Sequence, residues 1–268
     1  MKIKGTLQFL ALLILYMMST KACTTTSTEP LKRSENKVGI GLLHCSPESV
    51  IKFYQDYDSK SPYDSLKTEK VRFGLNKGKA NFKTSSLGSK LQPYVLVEGD
   101  SDLEGKSNIN VGLIRFSPEI IFRVLEKKGD EFTVLINEKS GYTSVIKLHK
   151  KNDYRTTQEY GEDFFFDPNF VDTADADWYL YESWEQALKG AWSIEVPKNT
   201  LFFKEPNGEQ TEMPTNDYGF GIDSLSGDWA RFYRKFPDDD SEKNSKYWAK
   251  WKNKDGIIVN IILHGGYE

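Results

Sequence analysis

The sequence predicts a mainly β protein: two small antiparallel β-barrel or sandwich domains, the C-terminal one preceded by a short helix. Three observations carry that expectation. Short apolar runs, many alternating with polar residues, are separated by Gly, Asp and Asn turns, which is the strand and hairpin pattern. The chain holds 16 Phe, 14 Tyr and 6 Trp in 268 residues, too much large apolar surface for a disordered chain. One segment alone carries both helix caps and a helical apolar pair.

The first residues stand apart from the fold. Lys2 and Lys4 precede an apolar run from Leu7 to Met18, and the small residues Ser19 to Ala22 follow. A basic start, a short apolar run and small residues make residues 1–22 a signal peptide. The run is shorter than the roughly 20 residues that a membrane-spanning helix needs. Residues 23–37 contain one large apolar residue, Leu31, and are expected to be a flexible linker. Loss of residues 1–22 removes Lys2, Lys4 and Lys21 and no acid, so the net charge moves from −3 to −6.

Cys23 directly after the small Ala22 resembles the lipobox of bacterial lipoproteins, although Thr20 and Lys21 depart from the usual pattern. The resemblance implies that Cys23 becomes the mature N-terminus and carries a lipid, anchoring the protein to a membrane on its periplasmic or outer face. The other route is ordinary cleavage after Ala22 and a secreted or periplasmic protein. On that route Cys23 and Cys45 are available for a disulfide, since export permits oxidation. Cys45 sits in the apolar stretch Gly41 to Cys45, where a small buried thiol is expected.

Residues 38–150 are read as the N-terminal β domain. Its expected strands are Val50–Tyr54, Val71–Leu75, Tyr94–Val97, Ile109–Arg115, Ile120–Leu125, Phe132–Ile136 and Thr143–Leu148. Lys128-Gly129-Asp130 is the turn of a hairpin. Residues 151–177 turn polar and acidic, interrupted by Phe164 to Phe166 and Phe170. They are expected to connect the domains, with the phenylalanines docked.

Residues 178–268 are read as the C-terminal domain. Ser183 suits a helix N-cap, Gln186 completes a capping box, and Gly190 suits the C-cap. Trp184 and Leu188 then share the buried face. Strands follow at Leu201–Lys204, Tyr218–Leu225, Trp229–Tyr233, Tyr247–Lys252 and Ile257–Leu263, with tight turns between them. That spacing suggests a small barrel.

This last region resembles bacterial SH3-like domains. The resemblance rests on Lys204 to Gly208 (first strand and loop), on Ser226 to Arg231 (the Gly-Asp-Trp hairpin) and on Tyr247 to Lys252, where Tyr247 replaces the usual Gly. Lys128 to Phe132 is a weaker echo of the same hairpin. The resemblance implies an extracytoplasmic binding module for cell-wall or protein ligands, and it implies no chemistry.

Charge and motifs narrow the function. With 36 Lys+Arg against 39 Asp+Glu, the chain lacks the basic surface that nucleic acid requires. His44, His149 and His264 are isolated in sequence, so no metal site is expected. Asp100 to Gly105 matches the first half of a calcium loop, but Ser107 and Val111 stand where an aliphatic residue and the closing Glu belong. Asp238 to Asp240 reads as a solvated loop. No nucleophile elbow, zinc-protease or phosphate-loop motif occurs, and His44 and Cys45, adjacent on a strand, would point to opposite faces. No catalytic residue and no cofactor is expected.

The aromatics are the functional lead. On a strand, Tyr247, Ala249 and Trp251 face one side and Trp248, Lys250 and Lys252 the other. Only one of Trp248 and Trp251 is then easily core, and the other is free to stack on a sugar or peptide ring. The competing reading packs Trp184, Trp229 and Trp251 into the barrel and covers Trp248 with the helix or the other domain. Trp229, Tyr233, Tyr247, Trp248 and Trp251 are the candidate ligand-binding residues. The expectation is a non-catalytic protein of the bacterial cell envelope that binds cell-wall glycan, peptide or an envelope protein. The alternatives are an exported hydrolase with its catalytic residues in the N-terminal domain, and a subunit of an envelope complex.

Overall fold

Short runs with a two-residue period form strands because alternate side chains leave opposite faces of the backbone. The computed structural model describes residues 31–45, 49–70, 80–96, 120–148, 153–155, 178–212, 219–235 and 245–263. Among these, β1 (Gly41–Cys45), β2 (Ile51–Tyr54), β3 (Asp64–Lys70), β4 (Ala80–Lys83), β5 (Val95–Leu96), β6 (Ile120–Lys128), β7 (Glu131–Asn137), β8 (Tyr142–Lys147), β9 (Asp153–Arg155) and β10 (Trp178–Ser183) build one large sheet. Its order is β4-β3-β2-β8-β7-β6-β1-β10-β9, with β5 added on β6. The pairs are antiparallel except β9 with β10.

The helix α1 (Trp184–Gly190) starts where expected. The Ser183 hydroxyl accepts from the Gln186 amide, and the Gln186 side chain accepts from the Ser183 amide. Gly190 is the last helical residue and Ala191 takes the cap position. After the helix, β11 (Ser193–Glu195), β12 (Phe202–Phe203), β13 (Gln210–Thr211), β14 (Phe220–Ser226), β15 (Trp229–Arg234), β16 (Lys246–Lys250) and β19 (Asn260–Ile262) form a second sheet in the order β13-β12-β16-β15-β14-β11-β19. β17 (Lys252–Asn253) and β18 (Gly256–Ile257) make a separate hairpin.

Neither sheet closes into the expected barrel; each runs from one terminal strand to another. One core contains Leu42 and Ile121 of the large sheet, Trp184, Ala187 and Leu188 of α1, and Phe202, Phe220, Ile222, Phe232 and Trp251 of the second half. The second sheet curves, setting the Phe202 ring of β12 5.5 Å from that of Phe220 on β14 although β16 and β15 lie between them in the sheet order, and its apolar face shares this core with α1 and the large sheet. A second core, with Leu43, Cys45, Ile51, Phe53, Phe122, Val124 and Phe132, lies on the other face of the large sheet.

β1 is therefore buried on both faces: Leu42 and His44 point one way, Leu43 and Cys45 the other, and all are buried. Such a strand reads as a continuous apolar run without alternation. The chain enters it through Gly39, whose φ is 69° and where a Cβ would stand 2.2 Å from the Val124 carbonyl oxygen. That position suits only glycine.

Two expected boundaries differ. The strand beginning at residue 178 pairs with β1 in the large sheet, and the chain from Leu31 onward forms one compact unit. The end of the expected linker is docked. Thr143 donates to the Lys32 carbonyl and Ser34 to that of Gly141, both at 2.9 Å, and the Arg33 guanidinium lies 4.7 Å from the centre of the Tyr142 ring. Residues 1–30 with Cys23, the strands expected at 71–75 and 109–115, the calcium-like loop, the phenylalanines of 164–170, the 238–242 loop, His149 and His264 all lie outside the described residues.

Candidate functional site

The outer face of β12, β14, β15 and β16 gathers three of the five candidate aromatics. Register decides the set. β15 faces β16 with Trp229 opposite Lys250, Arg231 opposite Trp248 and Tyr233 opposite Lys246. Their neighbours Ala230, Phe232 and Ala249 are buried in the core, so these six point outward. The result is a checkerboard in which every cation has an aromatic across the strand pair. The Arg231 guanidinium lies 5.7 Å from the centre of the Trp248 ring, and the Lys250 ammonium 5.5 Å from that of Trp229. Both are cation–π separations. Phe203, opposite Trp248 on β12, sets its ring edge-on to Trp229 at 5.2 Å. The Tyr233 ring lies over Gly221, where a Cβ would fall 2.3 Å from Tyr233 Cζ. Lys246 and Lys250 are exposed and the four aromatics are half-buried.

One acid belongs to this face. A bulge between Ile222 and Ser224 adds a residue to β14 and turns Asp223 towards Arg231, as bulges re-aim side chains. Arg231 donates from Nε to Asp223 Oδ1 at 2.7 Å and from Nη2 to Oδ2 at 3.3 Å, and Lys246 Nζ pairs with Oδ2. Partial burial opposes the charge on Asp223, but these hydrogen bonds outweigh it and hold the carboxyl below its usual range.

The other two candidates face inward. Trp251 is 2% exposed, with its ring 5.7 Å from Trp184, and it donates to the Gly227 carbonyl at 3.2 Å. Tyr247 packs against the same core, 6.0 Å from Phe202. The alternation thus separates Trp248 from Trp251, and α1 covers the inner one.

Buried ionisable pairs lie elsewhere. His44 Nε2 stands 2.9 Å from Glu182 Oε2, with both side chains almost fully buried. Arg123 grips Glu138 through Nε–Oε1 at 3.1 Å and Nη2–Oε2 at 2.8 Å, donates to the Lys37 carbonyl, and lies 5.1 Å from the Tyr94 ring centre. Burial pushes the Glu138 carboxyl up although Arg123 opposes the shift. Sequence reading found neither pair: His44 and Glu182 meet only through the pairing of β1 with β10, and Arg123 and Glu138 only across the β6–β7 hairpin. Cys45 lies on the face away from His44, in the other core, and burial pushes its thiol well above the ordinary range. Among the described residues no three His, Cys, Asp or Glu side chains converge as a metal site would need.

Phe203 is the member of the outer face that sequence reading missed. The strand itself is expected from the sequence, but its run Leu201-Phe202-Phe203 is uniformly apolar and gives no alternation to tell which ring faces outward. Comparison of the chain with protein-family models, with curated proteins and with solved structures yields no significant match.

Proposed function

We propose that this protein is a non-catalytic binding protein of the bacterial cell envelope, and that the outer face of β12, β14, β15 and β16 takes up a cell-wall component. The observation that carries the reading is the gathering of Phe203, Trp229, Tyr233 and Trp248 on one side of a sheet whose other side is core. Aromatic rings placed outward present flat apolar plates to a ligand, and they cost hydrophobic burial that an inward position would have gained. Sugar rings offer matching apolar faces. The signal peptide of residues 1–22, the lipid anchor at Cys23 and the SH3-like kinship of the C-terminal half belong to the same proposal, resting on the sequence patterns described above.

Sedimentation with purified peptidoglycan sacculi tests it. The protein is expected to co-sediment, and Trp248→Ala to weaken retention about tenfold, near 1.4 kcal/mol, while leaving the unfolding midpoint close to wild type. Failure to co-sediment at low salt, or retention unchanged in Trp248→Ala, defeats the proposal.

A further inference from the structure

The outer face carries a charge opposite to that of the chain. Among the described residues its register positions hold Arg231, Lys246 and Lys250 against one acid, Asp223, two positive charges in excess, while the whole chain is at −3. Lys246, Trp248 and Lys250 alternate along β16, so the Cα atoms of the two lysines stand roughly 13 Å apart at ordinary strand rise, with Trp248 midway. The adjacent strand repeats the arrangement in reverse, Trp229-Arg231-Tyr233. Resting on the binding reading above, we infer that the ligand class is an anionic glycan: a polysaccharide whose carboxylates meet Arg231, Lys246 and Lys250 while its sugar rings lie on Trp229 and Trp248.

The physical argument weighs three ligand classes. A neutral sugar takes hydrogen bonds from the three cations through its hydroxyls but gains no charge attraction from them. A nucleic acid, one negative charge every 1.7 Å or so of duplex, needs a wide basic surface to release its counterions, and a chain of net negative charge repels it outside this small face. A carboxylated polysaccharide spaces its charges by whole sugar rings, as the checkerboard spaces its cations by aromatic plates. The existing contacts are compatible with this. Asp223 occupies Nε and Nη2 of Arg231 and leaves its other N–H groups in place, and Lys250 is exposed with the Trp229 ring beside it.

The test measures binding of the full chain, in detergent, to polygalacturonate and to the same polymer fully methyl-esterified, with peptidoglycan sacculi and a single-stranded oligonucleotide in parallel. Polygalacturonate is expected to bind about tenfold more tightly than the ester at low salt, and the preference to collapse near 0.5 M salt, where charges are screened within about 4 Å. Lys250→Gln and Lys246→Gln are expected to lower acidic-polymer binding about threefold each and ester binding less than that; Trp248→Ala is expected to lower both. Equal binding of acid and ester, or an oligonucleotide bound as tightly as the acid polymer, overturns the anionic-glycan inference. Retention on sacculi then keeps the wall-binding reading. Loss of binding to both polymers and to sacculi overturns the two together.

Discussion

Trp251 sets its indole 5.7 Å from that of Trp184, centre to centre, so the end of β16 closes on the first turn of α1. Each ring is buried, and each N–H has a carbonyl to meet: Gly227 for Trp251 and Val38 for Trp184 at 2.9 Å. Buried indoles with satisfied N–H groups are among the larger contributions a core can hold. Trp251→Ala is expected to cost about 3–5 kcal/mol, whereas Trp248→Ala, on the outer face, is expected to change stability by less than about 1 kcal/mol. Urea unfolding of the two variants checks the contrast, and similar losses from both would contradict the assignment of faces.

Arg123 and Glu138 form a paired charge in a core, and removing one partner leaves the other buried without compensation. Arg123→Met is expected to cost about 3–5 kcal/mol, and the double variant Arg123→Met/Glu138→Leu to recover a large part of that loss. A double-mutant cycle on unfolding free energies reads the coupling. Additive losses would mean that the two side chains do not depend on each other.

The acid limb of stability is expected to depend on Asp64. Burial opposes its charge, but the backbone N–H groups of Ser86, Ser85, Leu87 and Ser65 all donate to its carboxylate and hold its pKa below the ordinary value near 3.8. A carboxyl lowered in the folded state adds stability above its unfolded pKa and loses that contribution as pH falls through the folded value. Asp64→Asn is expected to lose about 1–3 kcal/mol at neutral pH and much less near pH 2.5. Unfolding curves at the two pH values check this; an equal deficit at both would place the effect in packing. Glu138, raised by burial, acts in the opposite sense, its protonated form being favoured in the folded state.

The hairpin of β6 and β7 was legible in the sequence because its signals are local: alternating strands on either side of Gly129, which takes a φ of 60°. The helix was legible through its capping box, and the split between Trp248 and Trp251 through strand alternation. β1 was legible only as an apolar stretch holding His44 and Cys45, without its place in a sheet, because burial on both faces erases the alternation that marks a half-buried strand. β3 was hidden for the opposite reason, since in Asp64–Lys70 the apolar residue is Leu66 alone. The pairing of β1 with β10 joins residues some 140 positions apart, and nothing local encodes that register. The candidate site depends on such register. Trp229 and Tyr233 join Trp248 because β15 pairs with β16 in one frame, and a slip of one residue would turn them into the core.

Cys45 offers a chemical count of the processing route. It is 2% exposed, between Tyr179 of β10 and Ile120 of β6, and burial raises its pKa well above the ordinary thiol range. Thiolate is the reactive form, so the folded protein is expected to shield Cys45 from a maleimide at pH 8 and to release it when denatured. The chain has two cysteines. A lipid-modified Cys23 gives no reactive thiol in the folded protein and one in denaturant. Cleavage after Ala22 without modification gives one and two, or none in either state where Cys23 and Cys45 are joined in a disulfide. Peptide mapping of the labelled site completes the measurement: rapid labelling of Cys45 in the folded protein would be incompatible with its place in the core, whatever the state of Cys23.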